Sequence, residues 1–468
     1  MLHAAVLERL EKKCPVAVMV RAILEQSLSP DFIDEVFERV ASRQYTRSLL
    51  FSTLVRLLSL VVCRVRPSVN AAMQFCEDEL TVRPKSVYNK LNGTELPVAE
   101  ALLAESAAKM TAVVEELGSL LPPLVPGYRT RILDGNHLAA TEHRIRPLRT
   151  LGGGALPGQA LVVFDANMGL ISRTYLCEDG HSQERDIVLE LLGQIQSGEL
   201  WIADRNFATS VFMWQMHSSK GFFILRRHAA NGRVRETSPW RVVGESDTGS
   251  IEERDIVIED EFDQSFPARA IRVRLKTATR DGDREIELLT NLPSTVSAVT
   301  IAAAYRGRWR IETAFADLDR VFEGEIATLG HPRAALLAFS LALIAYNTLA
   351  VFQAALRKTH GAEKVQNEVS TYYIGLSASS SWSAMEIFVE PEVWTERYSA
   401  LTPRQLASTL VRLAKGVSLA QLRKHRRGPK KPRPARTTDK HSPHFSTARV
   451  LKRDQEAKKS GRKAKTNS

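Results

Sequence analysis

The chain has 468 residues, 64 Lys and Arg against 53 Asp and Glu, and a formal net charge of +11. That length holds two or three domains with cores of their own. Cys14, Cys63, Cys76 and Cys177 stand far apart, which argues against a disulfide framework and a cysteine-based zinc site and fits a reducing cytoplasm.

The opening stretch, MLHAAVLERLEKKCPV, carries Glu and Lys where a signal peptide needs an uninterrupted apolar core. Residues 1–120 read as an all-helical N-terminal domain. Phe32–Val40 has apolar residues at helical spacing, and Ser48–Val65 reads as a buried helix interrupted by Arg56. Ser68–Leu80 and Lys85–Leu91 form a candidate helix-turn-helix around Thr81-Val82-Arg83-Pro84. Lys85, Ser86, Tyr88, Asn89 and Lys90 are expected on the exposed side of the second helix. These residue types reach phosphates and base edges, although most helix pairs of this spacing are merely structural.

The Pro-rich stretch LLPPLVPGY, Leu120–Tyr128, marks a boundary. Strands are expected at Arg131–Asp134, Gln159–Phe164, Leu170–Cys177, Leu200–Asp204 and Gly221–Arg227. Helices are expected at about Ser182–Ile195 and Thr209–Ser219. Strands interleaved with helices mean an α/β core, placed at 128–356. Gly152-Gly153-Gly154 lacks the following Lys-Ser/Thr of a P-loop and reads as a flexible turn. From 228 to 299, Val-, Ile- and Arg-rich segments alternate as about four antiparallel strands. There Arg272 and Arg274 share one side, which is either solvated or borders a polyanion.

Two apolar runs end in an acid, RILDGNHLA at Asp134 and LWIADRNFATS at Asp204. Each reads as a buried strand whose carboxylate sits at the rim of a sheet. Thr300–Arg320 reads as a continuous helix in which Gly307 is tolerated. At about 100° per residue, Tyr305, Arg308 and Glu312 fall within roughly 60° of one another. Taken alone, that is a solvated face with an i,i+4 ion pair. Beside Asp134 and Asp204, it is a third carboxylate with a phenol and a guanidinium. Three acids far apart in sequence suit divalent-metal phosphoryl chemistry, with hard oxygen ligands for Mg²⁺ and an Arg fork for phosphate. Asn136, His137, Arg205 and Asn206 flank the two aspartates and are either site residues or turn residues.

Arg333–Leu356 reaches membrane length, but Ser340, Tyr346, Asn347 and Thr348 interrupt it, so a core helix is expected and no membrane. Residues 358–400 look mixed and polar, while Pro403–Leu413 and Leu419–Lys424 look helical within a C-terminal region at 357–425. From Lys415 to Ser468 there are eighteen Lys/Arg and three Asp/Glu. Such a tail suits a polyanion, most often nucleic acid, or is a solubilising end. Residues 426–468 are expected to be disordered apart from Phe445–Leu451.

The spacing Tyr305-x2-Arg308-x3-Glu312, with the blocks ILDGNHL and LWIADRNF, resembles the DDE transposases of bacterial insertion sequences, in the group called insertion-sequence family four. CEDGHSQERDIV is also similar to this group. The chain departs from the Tyr-Arg-Glu-Lys signature at its last position, where Asp319 stands and Arg320 follows. The resemblance implies an RNase H-like catalytic core with a β-rich insertion between the second Asp and the Glu. It implies Asp134, Asp204 and Glu312 as catalytic, metal-holding carboxylates for Mg²⁺, with Mn²⁺ tolerated. Tyr305, Arg308 and Arg320, with Lys85, Tyr88 and Lys90 from the N-terminal helices, are the expected DNA contacts. It further implies binding of double-stranded inverted repeats, strand cleavage and strand transfer into target DNA, a homodimer in the synaptic complex, and a place in the bacterial cytoplasm. A domesticated DNA-binding protein and an RNase H-like nuclease without strand transfer are the alternatives.

Overall fold

The computed structural model describes residues 2–44, 48–77, 80, 82–228, 233–259, 264–279, 282–425 and 444–466. The N-terminal part is helical: α1 (Leu2–Lys13), α2 (Pro15–Ser27), α3 (Pro30–Val40), α4 (Phe51–Val62), α5 (Val69–Phe75), α6 (Pro84–Gly93) and α7 (Leu96–Leu117). Several of these helices begin with proline in their first turn, where its missing N–H costs nothing. Gly118, at φ 58°, ends α7 in the left-handed conformation that glycine adopts without penalty.

The α/β part opens with β1 (Thr130–His137), β2 (Ala155–Leu156), β3 (Gln159–Asp165) and β4 (Leu170–Cys177). Then come α8 (Glu184–Leu192), β5 (Leu200–Ala203), α9 (Ser210–Ser218) and β6 (Phe222–Arg226). Next are β7 (Arg233–Glu236), β8 (Arg241–Ser246), β9 (Gly249–Glu259), β10 (Ser265–Leu275) and β11 (Glu285–Thr290). All but β2 join one mixed sheet in the order β4-β3-β1-β5-β6-β11-β10-β9-β7, with β8 also on β9. β1, β5 and β6 are parallel to one another. The segment 228–299 is therefore not a sheet of its own. β11 pairs antiparallel with β6, through Leu289 and Leu225, and extends the central sheet. Arg272 and Arg274 do share one side, and both reach Glu252 across the strand pair, at 3.5 and 2.8 Å.

Both faces of the central strands are buried. Ile132, Val162, Ile202 and Ile224 face one core, while Leu133, Val163, Ala203 and Leu225 face the other. Burial on both sides is why these strands read as unbroken apolar runs. α8 and α9 cover the second face. The first face is covered by α10 (Ala298–Arg306), α11 (Trp309–Val321) and α12 (Pro332–His360).

α12 packs against α2, α4, α6 and α7 and against β4. Its most apolar window is 89% buried within the protein, as a core helix requires. Its polar interruption has a partner: the Asn347 side chain accepts from Ile171 N and donates to Ile171 O, both at 2.7 Å. That pairing satisfies backbone groups of edge strand β4 that would otherwise be buried alone.

Residues 358–400, expected as mixed and polar, hold α13 (Ala362–Glu368), α14 (Thr371–Phe388) and α15 (Pro391–Tyr398), followed by α16 (Pro403–Ala414). α14, α15 and α16 pack on α2, so the N- and C-terminal helices share a core. Arg21–Glu386 (3.2 Å) and Arg412–Glu11 (2.7 Å) tie the two regions together. In the tail, residues 426–443 lie outside the described residues. After them, β12 (Phe445–Ser446) pairs parallel with β2, and α17 (Thr447–Thr466) follows. The helix replaces the disorder expected beyond Leu451, and Arg449 anchors it to Asp179 at 2.6 Å. The glycine run at 152–154 is where this tail passes, since a Cβ on Gly154 would meet His444 Nδ1 at 2.6 Å.

Candidate active site around Arg308

The strand register builds the first half of the site. Ile132 pairs with Ile202 and Leu133 with Ala203 on parallel β1 and β5. Side chains alternate between faces, so Asp134 and Asp204 follow Ile132 and Ile202 onto the same face. β5 ends at Ala203, and Asp204 caps the short turn Arg205–Phe207 by accepting from Arg205 N. Asp134 is not at the end of its strand as expected. β1 runs on to His137 because β3 continues to pair with it, Asp134 facing Val162. It is β5, on the other side, that stops and leaves the aspartates at an opening.

The second half comes from the helices over that face. The expected continuous helix is broken: Gly307 separates α10 from α11. A Cβ there would meet Leu124 Cδ2 at 2.5 Å, so the Pro-rich linker packs where any other residue would stand. Around the break the bonds shorten to i−3, from Arg308 N to Tyr305 O and from Ile311 N to Arg308 O. Tyr305, Arg308 and Glu312 nonetheless remain together. Arg308 Nη1 donates to Asp134 Oδ2 at 2.9 Å, and Nη2 donates to Glu312 Oε1 at 2.5 Å. Its side chain is only 12% exposed.

The electrostatics follow from this crowding. Burial pushes the Asp134 carboxyl up to about 6; Arg308 pulls the other way, and Glu312, Glu184 and Asp204 push further up. Burial works against the Arg308 charge, but Asp134, Tyr305, Glu312 and Asp204 outweigh it and hold the guanidinium above its usual value. Burial raises the Tyr305 phenol to about 12, so it is a hydrogen-bond donor at neutral pH. Among the described residues, no group of three or more His, Cys, Asp or Glu side chains is placed to hold a metal ion. The carboxylates converge on Arg308 rather than directly on one another, which corrects the expected geometry. The donor set itself, hard carboxylate oxygens in excess over a single buried Arg, has the chemistry a divalent cation selects.

The other sequence candidates separate clearly. Lys85, Ser86 and Asn89 are exposed on α6 and Tyr88 is half-buried. Lys90 is turned inward instead of outward. Its Nζ donates to Leu49 O at 2.6 Å and lies 4.7 Å from the Phe37 ring, and burial lowers its pKa. Arg320 and Asp319 are exposed near the end of α11. Arg320 pairs with Asp317 at 3.2 Å, while Arg64 caps the helix through the carbonyls of Asp319, Arg320 and Phe322. Asn136 donates to Glu325 at 3.3 Å, and His137 and Arg205 are exposed. Sequence reasoning missed Glu184 beside the strand ends. Its signal was available, because it lies within the CEDGHSQERDIV stretch.

Comparison with known proteins bears on this arrangement directly. Residues 126–348 match the family model described as Transposase DDE domain. The matched span is just under half of the chain and contains Asp134, Asp204, Tyr305, Arg308 and Glu312. Among solved structures, the chain is similar to a cryo-EM structure of the piggyBac transposase synaptic complex with hairpin DNA, at 12% identity and a TM-score of 0.41 over 85% of each chain. No curated protein matches the sequence.

Proposed function

We propose that the chain is a DDE transposase, with Asp134, Asp204 and Glu312 as its catalytic carboxylates on an RNase H-like core. The carrying observation is the parallel register that aims Asp134 and Asp204 at the helix bearing Glu312, inside the span that matches the transposase DDE domain. The spacing Tyr305-x2-Arg308-x3-Glu312 supports a member of insertion-sequence family four.

Mg²⁺ is the ion we assign to the three carboxylates, with Mn²⁺ as a substitute. When bound, such ions activate an attacking water or 3′-hydroxyl and stabilise the leaving oxygen of a phosphodiester. The residues of the chain supply the rest. Asp134 and Asp204 are held by rigid strands, and Glu312 closes the site from a helix. Arg308 takes the cation's role while the site is closed, pairing with both Asp134 and Glu312. Opening requires Arg308 to release them, and its planar fork then suits a backbone phosphate. Tyr305 keeps its proton and donates to the same phosphate. The DNA is double-stranded and ends in inverted repeats. The exposed face of α6, at Lys85, Ser86 and Asn89, contacts it, and the basic tail neutralises phosphates. Two copies act together in a synaptic complex in the bacterial cytoplasm.

End-labelled duplexes made from the repeats flanking the gene, incubated with the full chain and Mg²⁺, test this reading. Cleavage followed by joining to a second duplex is the expected result. Cleavage without joining would make it a nuclease, and binding without cleavage a domesticated DNA-binding protein.

A further inference from the structure

Glu184 is the acid that the three-carboxylate reading leaves unused. It begins α8, which covers the face of the sheet opposite α11, and it meets β1 from that side. A Cβ built on Gly135, the residue after Asp134, would lie 2.0 Å from Glu184 Oε1 and 2.5 Å from its Cδ. The carboxylate therefore rests on bare backbone, in space that only glycine leaves. Its other oxygen, Oε2, accepts from Asn206 Nδ2 at 3.2 Å, two residues beyond Asp204. One carboxylate thus touches the chain just past both catalytic aspartates, at the rim where β5 has ended.

The charge there is uncompensated. Among the described residues, Glu184 makes no ion pair with Lys or Arg and Oε1 accepts no hydrogen bond, although Asp134 and Asp204 lie close by. An acid packed against other acids with no cation of its own is stabilised by a cation that arrives from outside. Its place at the first turn of α8 supplies only a weak local compensation.

We infer that Glu184 is a fourth carboxylate of the cation site, reaching it past the end of β5 from the opposite face of β1. This inference rests on the metal-dependent reading of Asp134, Asp204 and Glu312. Glu184 adds a hard oxygen on the side away from Glu312, and Gly135 is retained so that it can approach.

Mn²⁺ binding to the full chain, followed by the paramagnetic resonance signal of the free ion, tests it. Wild type and Arg308→Ala are expected to bind. Glu184→Gln is expected to weaken binding about tenfold, the scale of losses at metal-supporting residues. Gly135→Ala displaces the carboxylate without removing any charge, so it should weaken binding in the same direction even if Glu184→Gln folds poorly. Glu184→Asp should retain part of the affinity, and Glu190→Gln, on the exposed side of α8, all of it. If Glu184→Gln and Gly135→Ala bind as wild type while Asp134→Asn does not, Glu184 is no ligand and the three-carboxylate site stands. If neither wild type nor Arg308→Ala binds Mn²⁺, the metal reading fails and this inference with it.

Discussion

Arg308 donates one arm of its guanidinium to Asp134 at 2.9 Å and the other to Glu312 at 2.5 Å. One buried cation thereby holds together a strand and a helix that are far apart in sequence. Removing it leaves two carboxylates facing each other without compensation. Arg308→Ala is expected to cost about 3 kcal/mol of stability in the absence of divalent ions, as for other broken buried pairs. Urea unfolding with and without Mn²⁺ measures this. The loss should shrink when the ion is present, because the ion replaces the missing charge.

The raised Asp134 carboxyl makes stability depend on pH. Its folded value is about 6 against 3.8 when unconstrained, so the folded protein binds the proton more tightly. Its contribution is complete below the unfolded value and is lost as pH rises through about 6. Glu100, buried beside β4 and accepting from Leu176 N at 2.6 Å, behaves alike, with its pKa raised to about 7 mainly by burial. Stability is therefore expected to fall between about pH 5 and 8. Glu100→Gln should remove the upper part of that fall and Asp134→Asn the lower part. At pH 8, Asp134→Asn should be more stable than wild type by on the order of 2 kcal/mol. Denaturant titrations at several pH values decide both.

Asn347 tests the link between the helical body and the sheet. It is fully buried, and both atoms of its amide are used on Ile171. Asn347→Leu keeps the volume but strands an N–H and a C=O of β4. The expected cost is about 2–4 kcal/mol, from two buried groups left unpaired. A loss under about 0.5 kcal/mol, the scale of surface changes, would mean that these backbone groups find other partners.

The break at Gly307 is a packing effect and can be tested as one. Gly307→Ala is expected to cost about 1–3 kcal/mol, as overpacking does. Leu124→Ala opens the space that the new methyl needs. The double variant should therefore lose less than the sum of the two single changes. Strict additivity in a double-mutant cycle would show that Leu124 does not enforce the break.

These cases show what could be read in advance. The apolar runs ending at Asp134 and Asp204 were legible because strands buried on both faces need unbroken Val, Ile and Leu. The Tyr305, Arg308 and Glu312 cluster was legible because helical spacing fixes it locally. Gly307 was misread because its constraint comes from Leu124, more than 180 residues earlier in the chain. Asp134 was placed at a strand end because only tertiary pairing tells that β3 continues where β5 stops. Lys90 looked solvent-facing by type, yet the carbonyl that receives its ammonium lies on another segment. α14, TYYIGLSASSSWSAMEIF, is rich in Ser and weakly patterned, so it showed no apolar stripe to read. Glu184 stood in plain view within CEDGHSQERDIV, but nothing local relates it to Gly135.

The central claim is that Asp134, Asp204 and Glu312 act as one centre for breaking a DNA strand. The most direct measurement compares DNA binding and Mg²⁺-dependent strand cleavage in wild type, Asp204→Asn and Glu312→Gln on the same end-labelled repeat duplex. The account predicts that both variants bind the duplex as wild type does and cut it at least about a thousandfold more slowly, the scale of loss when a catalytic unit is disabled. Cleavage by either variant within a few-fold of wild type would contradict it.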